Sequence, residues 1–128
     1  MELLKKYPII YISLPIGGYE KSVSRRYSNA IKEIDRLYSN DDLQPLVSGP
    51  TNISEFTEEG LKEPRTKDWA WYMGRDVEIL LRCNTIFMTK GYLNSQGCRV
   101  ELAVARERDM KVIYAKDAQE ALTEEDKL

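Results

Sequence analysis

Short apolar segments alternate with helix-like segments along most of this chain, and that alternation limits the fold more than any other feature. Runs rich in β-branched or aromatic residues are typical of strands, and apolar residues spaced three or four apart are typical of amphipathic helices. Strands separated by helices need crossover connections, so they pair in parallel and helices cover the sheet. The sequence therefore predicts an α/β fold.

The predicted elements follow one another along a single domain, residues 1–128. Strands are expected at Tyr7–Leu14, Leu43–Val47, Asn84–Thr89 and Lys111–Ala115, giving a parallel sheet of four to five strands with helices on both faces. Helices are expected at Ser22–Tyr38, Asp68–Arg82 and Gln96–Asp109, with shorter ones within Ile53–Leu61 and after Lys116. Ser22 or Ser24 suits the N-cap of the first helix, and Asp68 suits that of the second.

Three loops are predicted to surround a binding site. Ligands of a parallel α/β sheet bind at the carboxyl ends of the strands, beside helix N-termini. The loops at that edge are Ser13–Tyr19, Ser48–Lys67 and Lys90–Gly97. The second is long for a small domain, which is typical of a functional or disordered loop.

Composition excludes several classes of site. The chain has no histidine, which removes Ser-His-Asp and Cys-His catalysis. Cys83 and Cys98 lack the number and spacing of zinc ligands, so no metal is expected. A net charge of −2 argues against nucleic-acid binding. No apolar run approaches the roughly 20 residues of a membrane span, and no signal-peptide pattern is present, so we expect a cytoplasmic protein that does not bind membranes.

Glu101 is the first candidate for catalysis. It follows a predicted loop and helix start that contain Ser95 and Gly97. The N–H groups and positive dipole of such a start suit an anion, and we expect them to keep the Glu101 carboxyl group ionised. An ionised carboxylate suits a nucleophile or an electrostatic stabiliser. A solvated glutamate in the first helical turn is the more common use of this position.

Asp76 is the second candidate. It shares a helix face with Trp69, Tyr72, Met73 and Leu80. A carboxyl group on an apolar face needs a partner, or its proton affinity rises. A pair of carboxyl groups, one attacking and one handling protons, suits a glycosyl-transferring enzyme. An aspartate at the edge of the apolar stripe, bound to an arginine or a backbone group, explains the position without catalysis.

Aromatic and basic residues give weaker indications. Trp69 and Trp71 lie on different sides of their helix, which predicts a core position for Trp69 and base stacking or a subunit contact for Trp71. Arginines that could pair with a phosphate are Arg25, Arg26 and Arg65. The turn after the first strand has neither the spacing of a dinucleotide fingerprint nor that of a P-loop.

Three segments together resemble the nucleoside 2-deoxyribosyltransferase-like family, over roughly Ile9 to Tyr114. The first strand and turn are similar to the family's opening, with the sequence IYISLPIGG at Ile10–Gly18. A central helix and strand entry resembles the family's in Trp69-x-x-Tyr72-Met73-x-x-Asp76-x-x-x-Leu80-x-x-Cys83-Asn84. The family's signature of loop, helix start and acid is similar to Gly91-Tyr92-x-x-Ser95-x-Gly97-x-x-x-Glu101-x-x-x-Ala105.

The resemblance implies a flavodoxin-like sheet and cleavage of an N-glycosidic bond without a metal or organic cofactor. In that family the motif glutamate attacks the anomeric carbon of a deoxyribose, and a second base or water then resolves the covalent intermediate. Glu101 takes the nucleophile's place, and Asp76 that of an acid that assists proton transfer. The implied substrate-binding residues are Tyr11, Ser13, Pro15, Gly17, Ser95 and Gly97.

The implied partners are a small nucleoside or nucleotide and further copies of the chain. Family members form homodimers or larger homo-oligomers whose subunits complete each other's sites, and Trp71 and Tyr92 are candidate contacts here. Ser95 stands where nucleoside transferases carry a second acid, whereas relatives that hydrolyse nucleoside 5′-monophosphates have serine there. A serine can hydrogen-bond a phosphate that an acid would repel, which favours a nucleotide ligand.

Two other departures from the family pattern keep alternatives open. Leu14 stands where a glycine is usual, and Asn84 replaces an acid at a position that we expect to be structural. Leu14 and the missing second acid support a non-catalytic nucleotide- or sugar-phosphate-binding module with the same fold. A domain that keeps the motif only for packing is a third reading.

Overall fold

A single parallel sheet organises the chain in the computed structural model, which describes residues 7–50, 53–57, 59–63 and 67–127. Its strands are β1 (Ile9–Ser13), β2 (Leu46–Ser48), β3 (Thr85–Met88) and β4 (Lys111–Tyr114). They pair in the order β2-β1-β3-β4, all in parallel. This is the strand order of flavodoxin-like folds, so the predicted α/β class is confirmed, with four strands.

Three helices cover the sheet: α1 (Val23–Leu37), α2 (Trp69–Leu80) and α3 (Gln96–Glu107). The connection from β1 to β2 runs one way along the sheet, and the connections to β3 and β4 run the other way. Because such crossovers are right-handed, α1 lies on one face, and α2 and α3 lie on the other. Within the described residues, no helix is both long and apolar enough to cross a bilayer.

The core forms where both faces of the central strands are covered. Ile10, Tyr11, Ile12 and Ser13 of β1 have no solvent exposure, and all four residues of β3 are buried. Successive side chains of a strand point to opposite faces, so Ile10 and Ile12 face α1 while Tyr11 and Ser13 face α3. The central strand therefore supplies an apolar face to α1 and a hydroxyl-bearing face to α3.

The ends of the elements follow local chemistry. Asp68 is the N-cap of α2, as predicted, and accepts a hydrogen bond from the Trp71 backbone N–H at 2.9 Å. Ser22 precedes α1, but its hydroxyl donates to the Tyr19 carbonyl instead of capping the helix. Single 3₁₀ turns occur at Ile53–Phe56, Gly60–Lys62 and Glu124–Lys127, where the sequence predicted short helices.

Candidate active site

A cavity of about 470 Å³ lies at the carboxyl ends of β1 and β3, where the strand order reverses. The loop after β1 and the first turns of α2 and α3 form its walls. Its acidic side chains are Glu20, Asp76 and Glu101, and its apolar side chains are Leu14, Pro15, Ile16, Pro50, Trp69, Met73 and Leu122. A ligand site at this edge is what the direction of the strands predicts.

Glu101 is held at this cavity by two short hydrogen bonds. It lies on α3, is 4% exposed, and accepts from the Tyr11 hydroxyl at Oε2 and from the Ser13 hydroxyl at Oε1, both at 2.6 Å. Tyr11 and Ser13 are two residues apart on β1, so both point to the α3 face. One oxygen is bound by each donor, which fixes the plane of the carboxyl group.

Burial decides the protonation of Glu101. Loss of solvation raises its pKa to about 7, the charge of Asp76 also raises it, and the bonds from Ser13 and Tyr11 only partly oppose the shift. The expectation that the helix N-terminus would keep this group ionised is therefore wrong, because desolvation outweighs the favourable dipole. At neutral pH the protonated and ionised forms coexist.

The neighbours of Glu101 remain protonated. Burial, and then the charge of Glu101, raise the pKa of Tyr11 well above its usual value, so its hydroxyl stays a donor. Burial also raises the pKa of Cys98 to about 12, and the nearby Glu101 charge adds to that shift. A thiol of that pKa is a poor nucleophile at neutral pH. Glu101 is therefore the better nucleophile of this group.

Asp76 brings a second carboxyl group to the same cavity. It lies on α2, is 7% exposed, and lines the cavity beside Tyr72 and Met73, as its helical spacing predicted. Tyr72 in turn donates to Glu55 Oε1 at 2.9 Å, which ties the loop before α2 to this helix. Two elements on one face of the sheet thus bring two buried carboxyl groups to one cavity.

Two helix N-termini and a lysine place positive groups at the cavity, beside its acidic side chains. Trp69 and Gln96, the first residues of α2 and α3, both line it, and so does Lys67. Ser95 caps α3 by accepting from the Cys98 backbone N–H at 3.2 Å, and a hydroxyl that accepts in this way can still donate its own proton. Helix N-termini with such donors favour an anionic group.

The predicted substrate-binding residues separate into two sets. Pro15, Gly17, Ser95 and Gly97 line the cavity. Tyr11 and Ser13 are fully buried, do not line it, and contact Glu101 instead. A Cβ atom added to Gly17 would meet nothing within 4 Å, so this residue leaves open space at the rim.

Arg26 shapes the loop that forms one wall. Its Nη2 donates to the Pro15 carbonyl at 2.7 Å and to the Tyr19 carbonyl at 3.3 Å, and its Nε donates to Ser22 Oγ at 2.8 Å. Burial lowers its pKa. These contacts hold Arg26 in the loop, outside the lining of the cavity. Arg25 pairs with Asp126 at 3.4 Å, and the third arginine of that prediction, residue 65, lies outside the described residues.

The aromatic predictions need correction. Trp69 is 54% exposed and lines the cavity, because it begins α2 at the rim instead of lying along the buried stripe. Tyr92, a predicted subunit contact, is 5% exposed and packs on Tyr114 within the chain. Trp71 is 42% exposed, with Lys67 and Arg75 over its ring.

One wall of the cavity comes from a segment that no sequence prediction placed at the site. Leu122 reaches the cavity from the segment after β4. No periodicity marks that segment, and only its position in the fold brings it to the site.

Across the described part of the chain, no group of three or more acidic or cysteine side chains is placed to hold a metal ion.

Comparison with known proteins identifies a family for most of the chain. Residues 8–114 match the family described as "Domain of unknown function (DUF4406)". No curated protein matches, and no solved structure matches. The matched residues include all four strands, Asp76 and Glu101. The chain belongs to the DUF4406 family.

Proposed function

We propose that the protein cleaves an N-glycosidic bond, as a nucleoside deoxyribosyltransferase or a nucleoside 5′-monophosphate N-glycosidase, with Glu101 as the nucleophile. The observation that carries this proposal is the Glu101 carboxyl group, oriented by Tyr11 and Ser13 in a cavity that it shares with Asp76. Glycoside cleavage with a covalent intermediate needs two such carboxyl groups around one ligand.

The proposed first step is attack by Glu101 on the anomeric carbon. Each carboxylate oxygen has two lone pairs, so accepting from Tyr11 or Ser13 leaves one for attack. A C–O bond forms while the C–N bond breaks, and the electron pair of the C–N bond passes to the base nitrogen. A carboxylate with a pKa of about 7 is unusually basic, which favours nucleophilic attack once it is ionised.

Asp76 is proposed to carry the proton through both steps. In the reactive form Glu101 is ionised and the proton lies on Asp76, the reverse of the arrangement in which the charge of Asp76 raises the pKa of Glu101. Asp76 gives that proton to the departing base nitrogen. The resulting carboxylate then takes a proton from water or from the N–H of a second base. That acceptor attacks the anomeric carbon, and the bond to Glu101 breaks with its electron pair returning to the carboxylate. After both steps Asp76 is protonated and Glu101 is ionised, as at the start. The route requires no metal or cofactor.

The lining of the cavity supports a nucleotide as the ligand. The starts of α2 and α3, the Ser95 hydroxyl and Lys67 suit a phosphate. Apolar side chains elsewhere in the lining suit a planar base. We also propose that the protein acts in the cytoplasm as a homodimer or larger homo-oligomer, for which the exposed Trp71 is the candidate contact.

A second candidate function is a non-catalytic nucleotide- or sugar-phosphate-binding module. The observation in its favour is the use of both Glu101 oxygens in bonds to β1, which equally suits a structural link between strand and helix. Leu14 supports it as well, because its side chain lines the cavity where the resembling family has a glycine. The two candidates differ in what Glu101 does to a bound ligand.

The test is free-base release, by chromatography, from ribo- and deoxyribonucleosides and their 5′-monophosphates, with and without an acceptor base. Wild type is compared with Glu101→Gln and with Glu107→Gln, a matched change at the exposed end of α3. We expect Glu101→Gln to lose at least about 10³-fold in turnover, since the attacking group is gone. We expect Glu107→Gln to retain the wild-type rate.

Thermal unfolding establishes that each variant is folded. Release that persists in folded Glu101→Gln would contradict the nucleophile. No release from any compound by wild type, together with calorimetric binding that Glu101→Gln preserves, would replace the enzyme with the binding module.

A further inference from the structure

The chain after β4 turns back and contributes a wall to the candidate active site. Leu122, half-buried, lines the same cavity as Glu101 and Asp76. We call residues 119–127 the C-terminal strap. The strap follows the segment matched to the DUF4406 family, which ends at residue 114. It therefore adds to the site a residue that the family match does not include.

One end of the C-terminal strap is fixed against the loop before α3. The Gly91 backbone N–H donates to the Glu120 carbonyl at 2.9 Å, and Gln119 Nε2 donates to the Tyr92 hydroxyl at 3.4 Å. Gly91 has a φ of +85°, and a Cβ atom built there would lie 2.5 Å from Leu122 Cγ. The Leu122 side chain thus packs directly on glycine backbone at the edge of the cavity.

The other end is held by a buried carboxylate. Asp126 is 6% exposed and accepts from the Thr123 backbone N–H at 2.7 Å. It also forms ion pairs with Arg25 of α1 at 3.4 Å and with Lys90, after β3, at 3.7 Å. Leu122 lies between these two attachments, so its position relative to Glu101 is set by the fold.

We propose that Leu122 is a specificity-determining residue, which contacts the base of the bound nucleoside or nucleotide and limits the size of that base. This inference rests on the proposed function. An isobutyl group cannot hydrogen-bond a phosphate or a sugar hydroxyl, so a polar group buried against it would lose its solvation without compensation. The apolar face of a base is the part of the ligand that gains from this contact.

The position of the polar groups supports the same orientation. Ser95, Lys67 and the helix N-termini line the cavity and account for an anionic group. Glu101 and Asp76 account for the anomeric carbon and the departing nitrogen. The base is then the portion of the ligand left for the apolar lining, to which the C-terminal strap adds Leu122.

The test pairs an enlarged cavity with enlarged ligands. Leu122→Ala removes three carbons from the wall, and Leu93→Ala makes the same change at a side chain that is 54% exposed and outside the lining. The substrates are 2′-deoxyadenosine 5′-monophosphate, 2′-deoxyadenosine, and forms of each with a propyl group at N6, C2 or C8 of the base. The measured quantity is kcat/KM for each propyl compound relative to its parent.

We expect at least one propyl compound to gain about 10-fold or more in this ratio in Leu122→Ala, because a pocket that fits a few extra methylene groups discriminates on that scale. Leu93→Ala should keep the wild-type ratios within about 2-fold. Leu122→Phe fills the wall and should lower this ratio for the same propyl compound, because less room is left beside the base.

Three outcomes are distinguishable. Changed ratios in Leu122→Ala and Leu122→Phe, but not in Leu93→Ala, support the inference. Wild-type ratios in every folded variant overturn it and leave the proposed function standing. Wild type that neither cleaves nor binds any compound of the nucleoside and 5′-monophosphate panel overturns the proposed function, and the role of Leu122 with it.

Discussion

Two cavities of nearly equal volume lie at opposite ends of the sheet, and their contents differ. The one at the carboxyl end has about 470 Å³ and contains two carboxyl groups that are less than a tenth exposed. The one at the amino end has about 500 Å³, and its charged residues are all exposed: Asp41, Arg108, Asp109 and Lys111. Buried charge, and not volume, marks the candidate site.

Strand direction explains the difference. Because every strand runs the same way, α2 and α3 begin at the carboxyl end and finish at the amino end. N–H groups and positive dipole ends therefore converge on one cavity, and carbonyl groups converge on the other. The helix C-caps Tyr38, Leu81 and Arg108 all line the amino-end cavity. Of these two cavities, the one at the carboxyl end therefore has the helix ends that favour an anionic group.

The largest difference between the two ends is expected from matched aspartate changes. Asp76→Asn at the carboxyl end should lower kcat by about 10² to 10⁴-fold, because the proposed proton carrier is removed. Asp109→Asn at the amino end should leave kcat within about 2-fold, since asparagine tolerates the left-handed φ of 55° found there. Steady-state base release measures both. Equal losses of kcat in the two variants would contradict the assignment of the active site to the carboxyl-end cavity.

An intermediate effect is expected from the donors to Glu101. Glu101, the proposed nucleophile, becomes ionised as pH rises toward about 7, so kcat/KM should rise over that range. Ser13→Ala removes a bond that lowers this pKa, so the rise should move to higher pH and the rate at pH 6 should fall, by about 10-fold for one pH unit. Ser48→Ala, on β2, is the control. An unmoved pH profile in Ser13→Ala would contradict the role of Ser13.

The same pKa also affects stability. Glu101 titrates well above its usual value of 4.5 in the folded protein, so its contribution to stability is fully present below about pH 4.5 and is lost as pH rises from there to about 7. The stability of Glu101→Gln should not show this fall. Urea unfolding of wild type and variant between about pH 4.5 and 7 measures the difference.

The smallest effect on turnover is expected from Asn84, at the amino end. Its Oδ1 accepts from the Ile9 backbone N–H and the Thr85 hydroxyl, both at 3.0 Å, and its Nδ2 donates to the Tyr7 carbonyl at 2.7 Å. Asn84→Ala should lower the free energy of unfolding by about 1–3 kcal/mol. Its kcat should match wild type. A fall in kcat without a fall in stability would show that the amino end takes part in the reaction.

The fold followed from the sequence because its elements are recognisable one at a time. The period of apolar residues located all four strands and three helices, and their alternation gave the parallel sheet. The error at β2 has a local cause. Pro45 has no N–H to donate, so pairing with β1 begins at Leu46, next to Ile9, instead of at Leu43.

The site was only partly predictable. The cavity with Asp76 and Glu101 follows from helix spacing and strand direction. The bonds from Tyr11 and Ser13 to Glu101 join residues about 90 positions apart, and no local pattern indicates them. The raised pKa of Glu101 depends on how completely the surrounding elements exclude water, which its helix position alone does not reveal. Leu122 was missed because only the path of the chain after β4 brings it to the cavity, and its local sequence does not reveal that path.

The spacing of the two donors on β1 makes the length of that strand part of the site. Tyr11 and Ser13 reach Glu101 because they are separated by one residue whose side chain faces α1. Inserting or deleting one residue in β1 before Tyr11 would shift the strand by one position. Both hydroxyls would then face α1, and an isoleucine side chain would face the Glu101 carboxyl group. Substitutions of Ile10 and Ile12 are then a matter of core packing, whereas a single-codon insertion or deletion in β1 is a change of chemistry.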